Sequence, residues 1–190
     1  MTESRSVVRL RDATAEDMPE VAQIYAHYVE TTCITFEEVA PGAQEMSGRL
    51  QRLRQSGLPW HVALGETGAV IGYAYAAPFR ARSAYRYTVE NSVYLAADRV
   101  GRGVGTLLMR ELIRACTALG YRQMMAGIAD CDNEASFRLH TRLGFCLVGR
   151  ELAVGLKFGR WVDVVQMQLT LGEGARSAPT ADPTGYPRGK

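Results

Sequence analysis

From Leu95 the chain reads "LAADRVGRGVGTLLMREL", with Gly101, Gly103 and Gly105 at alternate positions and Arg99 and Arg102 among them. A strand, a glycine-rich turn and then a helix can hold phosphate. Glycine lets backbone N–H groups converge at the helix N-terminus, and arginine adds charge. Two phosphate-binding patterns do not fit. A P-loop needs Lys followed by Ser or Thr, and this loop has no lysine. A dinucleotide fingerprint reads GxGxxG and usually opens its domain, whereas this loop is GxGxG and follows roughly half the chain. A tight turn whose glycines merely permit close packing stays open on the residues alone.

Other chemistry is sparse. Cys33, Cys116, Cys131 and Cys146 are scattered with no CxxC pair, and His27, His61 and His140 form no ligand cluster, so neither a structural disulfide nor a metal site is expected.

The elements that must position the loop are legible as periodicities. "VVRLR" reads as a strand, and a helix follows with Thr14 and Asp17 spaced as a capping box and Val21, Ile24, Tyr25, Tyr28 and Val29 at helical spacing. "TTCITFEEVAPG" is a loop, and residues 44–56 form a second, more polar helix. Two strands flank a hairpin turn at Glu66-Thr67-Gly68, and "RARSAYRYT" leads into the strand "VENSVYLAA". After the glycine loop, Val104, Leu107, Leu108, Leu112, Ala115 and Leu119 share a helix face ending at Gly120. "YRQMMAGIA" is a strand, "NEASFRLHTRLG" a short helix, and the last two strands turn near Phe158-Gly159. This order predicts an α/β or α+β sheet covered by helices. Residues 1–172 form one domain, and 173–190, rich in Gly, Pro, Ala and Thr, are expected to be a disordered tail.

The chain has 190 residues, 47% apolar and 22% charged, with a net charge of +2. That balance gives no field for nucleic acid or an anionic membrane, and no apolar run reaches the roughly 18–20 residues of a membrane span. The polar start contains no signal-peptide pattern, so a cytoplasmic location is expected.

Taken together, "RVGRGVG", "NEASFRLHTRLGF" and "VRLRDATAEDMPEVAQIY" resemble the GNAT superfamily of acyl-CoA-dependent N-acyltransferases. The loop matches that family's R/Q-x-x-G-x-G/A pattern, and the likeness runs from about Val8 to Leu171. It implies a central, mixed, mostly antiparallel twisted sheet flanked by helices. Arg99, Val100, Gly101, Arg102, Gly103, Val104, Gly105 and Thr106 would hold the pyrophosphate of acetyl-CoA. Backbone groups of Val93, Tyr94 and Leu95 would pair with its pantetheine arm, and the Leu95 N–H would polarise the thioester carbonyl. Asn133 and Ser136 would contact the cofactor further along. No metal is implied, and a homodimer is.

Four stretches, "RARSAYRYTVENSVYL", "TTCITFE", "RLHTRLGF" and "GLKFGRWVDVVQMQ", resemble the phosphinothricin and methionine-sulfoximine N-acetyltransferase group. Members acetylate the α-amino group of small amino-acid analogues that carry an extra oxyanion or a sulfone-like end, which implies a role in resistance. By that resemblance Arg80 and Arg82 would meet the substrate carboxylate, since arginine offers a planar fork; solvated surface arginines are the alternative. Phe36 and Tyr85 would line the acceptor site. Glu90 is the candidate base, directly or through water, or else a residue that only binds the ammonium. His140 occupies the late-helix position from which many relatives protonate the departing thiolate; a plain helix histidine is the alternative. Two other functions stay open: acetylation of a peptide N-terminus or polyamine, and a non-catalytic acyl-CoA-binding module.

Overall fold

Every residue of β2 (Trp60–Leu64) is buried, as are the first five of β3 (Val70–Pro78). Strand side chains alternate between faces, so such strands need a layer on each side. On one face Trp60, Val62 and Tyr73 pack with Met18, Val21 and Tyr25 of α1 (Met18–Thr31) and with Met46 and Leu50 of α2 (Ala43–Gln55). On the other, Ala63, Ile71, Ala74 and Ala76 meet Leu108, Met109, Leu112 and Cys116 of α3 (Val104–Ala118), beside α4 (Glu134–Arg142).

The computed structural model describes residues 8–131 and 133–183. With β1 (Arg9–Asp12), β4 (Thr88–Leu95), β5 (Gln123–Ala129), β6 (Cys146–Lys157) and β7 (Arg160–Thr170), the sheet has seven strands in the order β1-β2-β3-β4-β5-β7-β6. Only β4 and β5 run parallel; every other neighbouring pair is antiparallel.

Most expected elements are present, with local differences. The first strand is Arg9–Asp12, and Val7 lies outside the described residues. The Thr14–Asp17 capping box forms, and Arg11 clamps Asp17 through two hydrogen bonds of 2.7 Å. On α3 the buried stripe is Val104, Leu108, Met109, Leu112 and Cys116, while Leu107 is 43% exposed. Met109 and Cys116 therefore complete the face to which the periodicity had assigned Leu107. Residues 173–183, expected to be structureless, lie against the body: Asp182 accepts hydrogen bonds from Arg86 and Tyr87, and Arg122 pairs with Glu173. The rest of that segment is outside the described residues. No described helix is long and apolar enough to cross a membrane.

Candidate active site

The parallel pairing of β4 with β5 lasts three residues, ending at Glu90↔Met125. From Asn91 to Leu95, β4 stays paired with β3 alone. Antiparallel strands alternate the direction of their backbone groups. Phe79 N–H donates to Thr88 C=O and Ala96 N–H to Ile71 C=O, so the even-numbered residues of β4 face β3 and the odd-numbered ones face the gap. Val93 and Leu95 thus present their N–H and C=O groups to the gap, as a pantetheine arm requires. Tyr94, expected to do the same, turns its backbone toward Tyr73 of β3; its ring packs edge-on against Tyr25 of α1 at 4.9 Å. The Leu95 carbonyl accepts a hydrogen bond from the Tyr28 hydroxyl at 2.7 Å.

A polar pin marks where the strands part. Asn91 Nδ2 donates to Met125 C=O at 2.8 Å, which turns Asn91 Oδ1 toward His140 Nε2 at 2.9 Å. His140 Nδ1 lies 2.8 Å from Ser136 C=O and 3.3 Å from its hydroxyl. The ring is 2% exposed, and burial pushes its pKa below the ordinary imidazole range, so it is neutral near pH 7. A neutral ring carries one N–H for two neighbouring acceptors, Asn91 Oδ1 and Ser136 C=O; with the hydrogen on Nε2 it donates to Asn91, and Nδ1 accepts from the Ser136 hydroxyl. His140 thereby joins α4 to β4.

Beside the gap lies a cavity of about 540 Å³ lined by Val93, Leu95, Gly101, Gly103, Thr106 and Ser136, among others. Gly101 and Gly103 adopt the left-handed region at φ +80° and +83°, and a Cβ on either would meet nothing within 4 Å. Packing therefore does not explain these two glycines; backbone conformation does, because it delivers the chain into α3 with the N–H groups of its first turn free. Gly105 is different. A Cβ there would lie 3.3 Å from Leu139 and 3.5 Å from Leu95, so it is a close-packing glycine that also lines the cavity.

The cavity is also lined by Val100 and by Asn133, which precedes α4. Val104 does not line it, its side chain being 2% exposed in the core. Neither arginine of the loop lines the cavity: Arg99 sits in the preceding turn and pairs with Asp98 at 3.0 Å, and Arg102 is exposed. Positive charge comes from α4 instead, through Arg138 and Arg142. Sequence reasoning missed both, although their i, i+4 spacing down one helix face was a usable signal. It also missed Tyr28 and Asn91, whose partners lie far along the chain.

Of the acceptor candidates, Glu90 and Arg80 lie close enough for their charges to interact, and Arg80 also meets Tyr85. Glu90 accepts no hydrogen bond among the described residues; burial raises its pKa first, then the charge of Glu151, against the opposing charge of Arg80. Arg80 lies over the rings of Phe79 and Tyr85, at 4.9 and 5.4 Å. Arg82 is exposed at the start of the 3-10 turn Ser83–Tyr85. Phe36 places its ring against Gly155 of β6, and the loop that carries it is tied down by Lys157 Nζ, which donates to Thr35 C=O at 2.8 Å. A larger hollow of about 800 Å³, lined by Arg11, Arg54, His61 and Glu111, holds none of the candidate residues. No group of three or more metal-ligating side chains occurs among the described residues.

A family model described as an acetyltransferase (GNAT) domain matches residues 10–166. The phosphinothricin N-acetyltransferase of Alcaligenes faecalis is 43% identical over 176 residues, spanning 93% of this chain and 89% of its own length. The L-methionine sulfoximine/L-methionine sulfone acetyltransferase of Pseudomonas aeruginosa is 38% identical over 170 residues, spanning 90% of this chain and 98% of its own length. The crystal structure of a GNAT superfamily phosphinothricin acetyltransferase from Sinorhizobium meliloti, in complex with acetyl-CoA, superposes with a TM-score of 0.88 at 46% identity and covers 93% of this chain and 95% of that one. A parted strand pair, a glycine loop opening a helix and this breadth of similarity agree: the chain belongs to the GNAT acetyltransferase family.

Proposed function

We propose that the protein transfers acetyl from acetyl-CoA to the α-amino group of a small amino-acid analogue of the phosphinothricin or methionine sulfoximine/sulfone type. The observation that carries this reading is the gap between β4 and β5. It leaves the Val93 backbone groups and the Leu95 N–H turned to a cavity that ends at the α3 N-terminus, while Tyr28 holds the Leu95 C=O. The fit is chemical as well as spatial. N–H groups at residues 101–106 suit a pyrophosphate, Arg138 and Arg142 suit its charge, and Asn133 and Ser136 add polar contacts.

Acetyl-CoA supplies the activated acetyl group. The chain's residues do the rest. The Leu95 N–H donates to the thioester oxygen, while Tyr28 holds the carbonyl of the same residue and so fixes the strand's orientation. Glu90, whose carboxyl burial lifts above the usual carboxylate range, takes a proton from the acceptor ammonium directly or through water. Arg80 and Arg82 receive the acceptor's carboxylate, and Phe36 with Tyr85 closes the site. An arginine-bearing approach disfavours a polyamine, which needs acidic lining.

The test is a KM comparison. Arg80→Ala and Arg82→Ala raise the KM for acceptors that carry a carboxylate and leave the KM of decarboxylated amines unchanged. Equal losses on both acceptor types contradict the carboxylate role.

We further propose a homodimer. Strand β6 ends the sheet with Leu147, Leu152 and Leu156 exposed by 61%, 71% and 54%, and Trp161 of β7 by 67%. An apolar edge of that size needs a cover. Sedimentation at micromolar concentration should give twice the chain mass, and a monomer there contradicts the assignment. The free thiols of Cys33, Cys116 and Cys146 suit a reducing cytoplasm.

A further inference from the structure

Gly127 sits in the middle of β5, inside the sheet, yet it is exposed while Ala126 and Ile128 on either side are buried. An exposed position in a central strand marks an opening, and the opening's rim is specific. A Cβ built on Gly127 would lie 3.2 Å from Glu90 Oε1, 3.5 Å from a Val164 methyl and 3.6 Å from Gln166 Nε2. Even a methyl there would crowd the carboxylate, so glycine leaves Glu90 Oε1 and the Gln166 amide facing the opening from its two sides.

Gln166 faces Gly127 directly across the β5–β7 pairing. Its Oε1 is buried and has no hydrogen-bond partner. Two residues along the same face, Gln168 donates to Gln123 at 2.7 Å, so the strand does satisfy amides where a neighbour is available. A buried amide oxygen without a donor is costly. Nε2 is the end that faces Gly127, and a half-turn about the terminal torsion brings the oxygen there while Nε2 takes the buried place. In that rotamer the oxygen over Gly127 can accept from a small N–H donor standing beside the carboxylate.

We infer that the acceptor's amine binds over Gly127, with the Gln166 side-chain carbonyl accepting one of its N–H groups while Glu90 faces another. Gln166 is then an acceptor-positioning residue. This assignment rests on the amine-acetylating reading of the same site. It adds the seat of the nitrogen and a second anchor, which together orient the lone pair toward the β4–β5 gap.

The experiment compares wild type with Gln166→Met, close in length but without an acceptor oxygen, and with Gln166→Glu. Methionine sulfone is varied at saturating acetyl-CoA, then acetyl-CoA at saturating acceptor, and Tm is recorded for each protein. For Gln166→Met the expected kcat/KM for the acceptor falls about 10-fold or more, as for loss of a hydrogen bond to a charged group. Its KM for acetyl-CoA stays within about twofold and its Tm is unchanged or higher, since an unpaired buried oxygen has been removed. Gln166→Glu restores the acceptor oxygen, retains acceptor binding and moves the rate's pH profile upward, because a second carboxylate holds Glu90 protonated to higher pH. An active wild type whose Gln166→Met variant matches it in acceptor kcat/KM overturns this inference alone. So does a variant that loses Tm and both substrates together, which is the mark of a purely structural residue. A wild type that acetylates no amine overturns the reading of the site and this assignment with it.

Discussion

Replacing Asn91 with Leu removes both hydrogen bonds that hold the parting strands in register. Met125 C=O loses its donor at 2.8 Å, and His140 Nε2 loses its acceptor at 2.9 Å. Both orphaned groups stay buried, and each such loss costs about 1–3 kcal/mol. The larger apolar side chain regains about 1–2 kcal/mol by burial, so the net destabilisation is about 1–4 kcal/mol. For a chain of this size each kcal/mol moves Tm by about 2–4 °C, so a drop of about 2–16 °C is expected in thermal unfolding at pH 7.5. The partner variant His140→Phe leaves Asn91 Oδ1 alone, and a double-mutant cycle should return a coupling of about 1–2 kcal/mol. The pin also has a pH signature. The folded pKa of His140 lies below its unfolded value, so its stabilising contribution is present above about 6.5 and is lost as pH falls through the folded value. Wild type should therefore lose more Tm between pH 7 and pH 5 than His140→Phe does. An Asn91→Leu variant within 0.5 kcal/mol (~0.5, the level of an ordinary surface change) of wild type, or a coupling of zero, would refute the pin.

His140→Gln keeps a donor for Asn91 and should retain turnover within about tenfold, measured by CoA thiol release; a loss of about 10²-fold or more with an unchanged Tm would assign His140 a proton-donor role. Gly103→Val forces a β-branched residue to φ +83° and points methyl groups into the open space beside the loop, so the KM for acetyl-CoA should rise about tenfold while the acceptor KM holds. Glu90→Gln should lower kcat by about 10²–10⁴ while acetyl-CoA binding, read by calorimetry, survives. In the same variant Tm should exceed wild type at pH 8 and converge with it toward pH 4. The raised folded pKa means that stability is complete below the unfolded value and is lost as pH rises through the folded one. A wild-type Tm that is higher at pH 8 contradicts that sign.

The sequence made the scaffold readable because its signals are local. The Thr14–Asp17 box, the positions on α1 and the hairpin around Gly68 each follow from residues within a few positions of one another. The glycine loop was readable for the same reason, since a backbone conformation at 101–105 and the helix that follows it share one short segment. Arg99 and Arg102 stood out through adjacency to the loop along the chain, and neither lines the cavity. Arg138 and Arg142, more than thirty positions later, are the arginines that line the cavity. The pin was missed for a stronger reason. Asn91 and His140 are 49 residues apart, and either alone reads as an ordinary polar residue. Only the termination of the β4–β5 pairing makes them one device.

Acetylation of the amine of a small amino-acid analogue is read directly as release of CoA thiol from acetyl-CoA against an acceptor panel. The panel is phosphinothricin, methionine sulfoximine, methionine sulfone, a polyamine and a short peptide. Preferential turnover of the first three is the predicted result. Turnover of the polyamine or peptide in preference to them, or acetyl-CoA binding with no turnover of any acceptor, would contradict it.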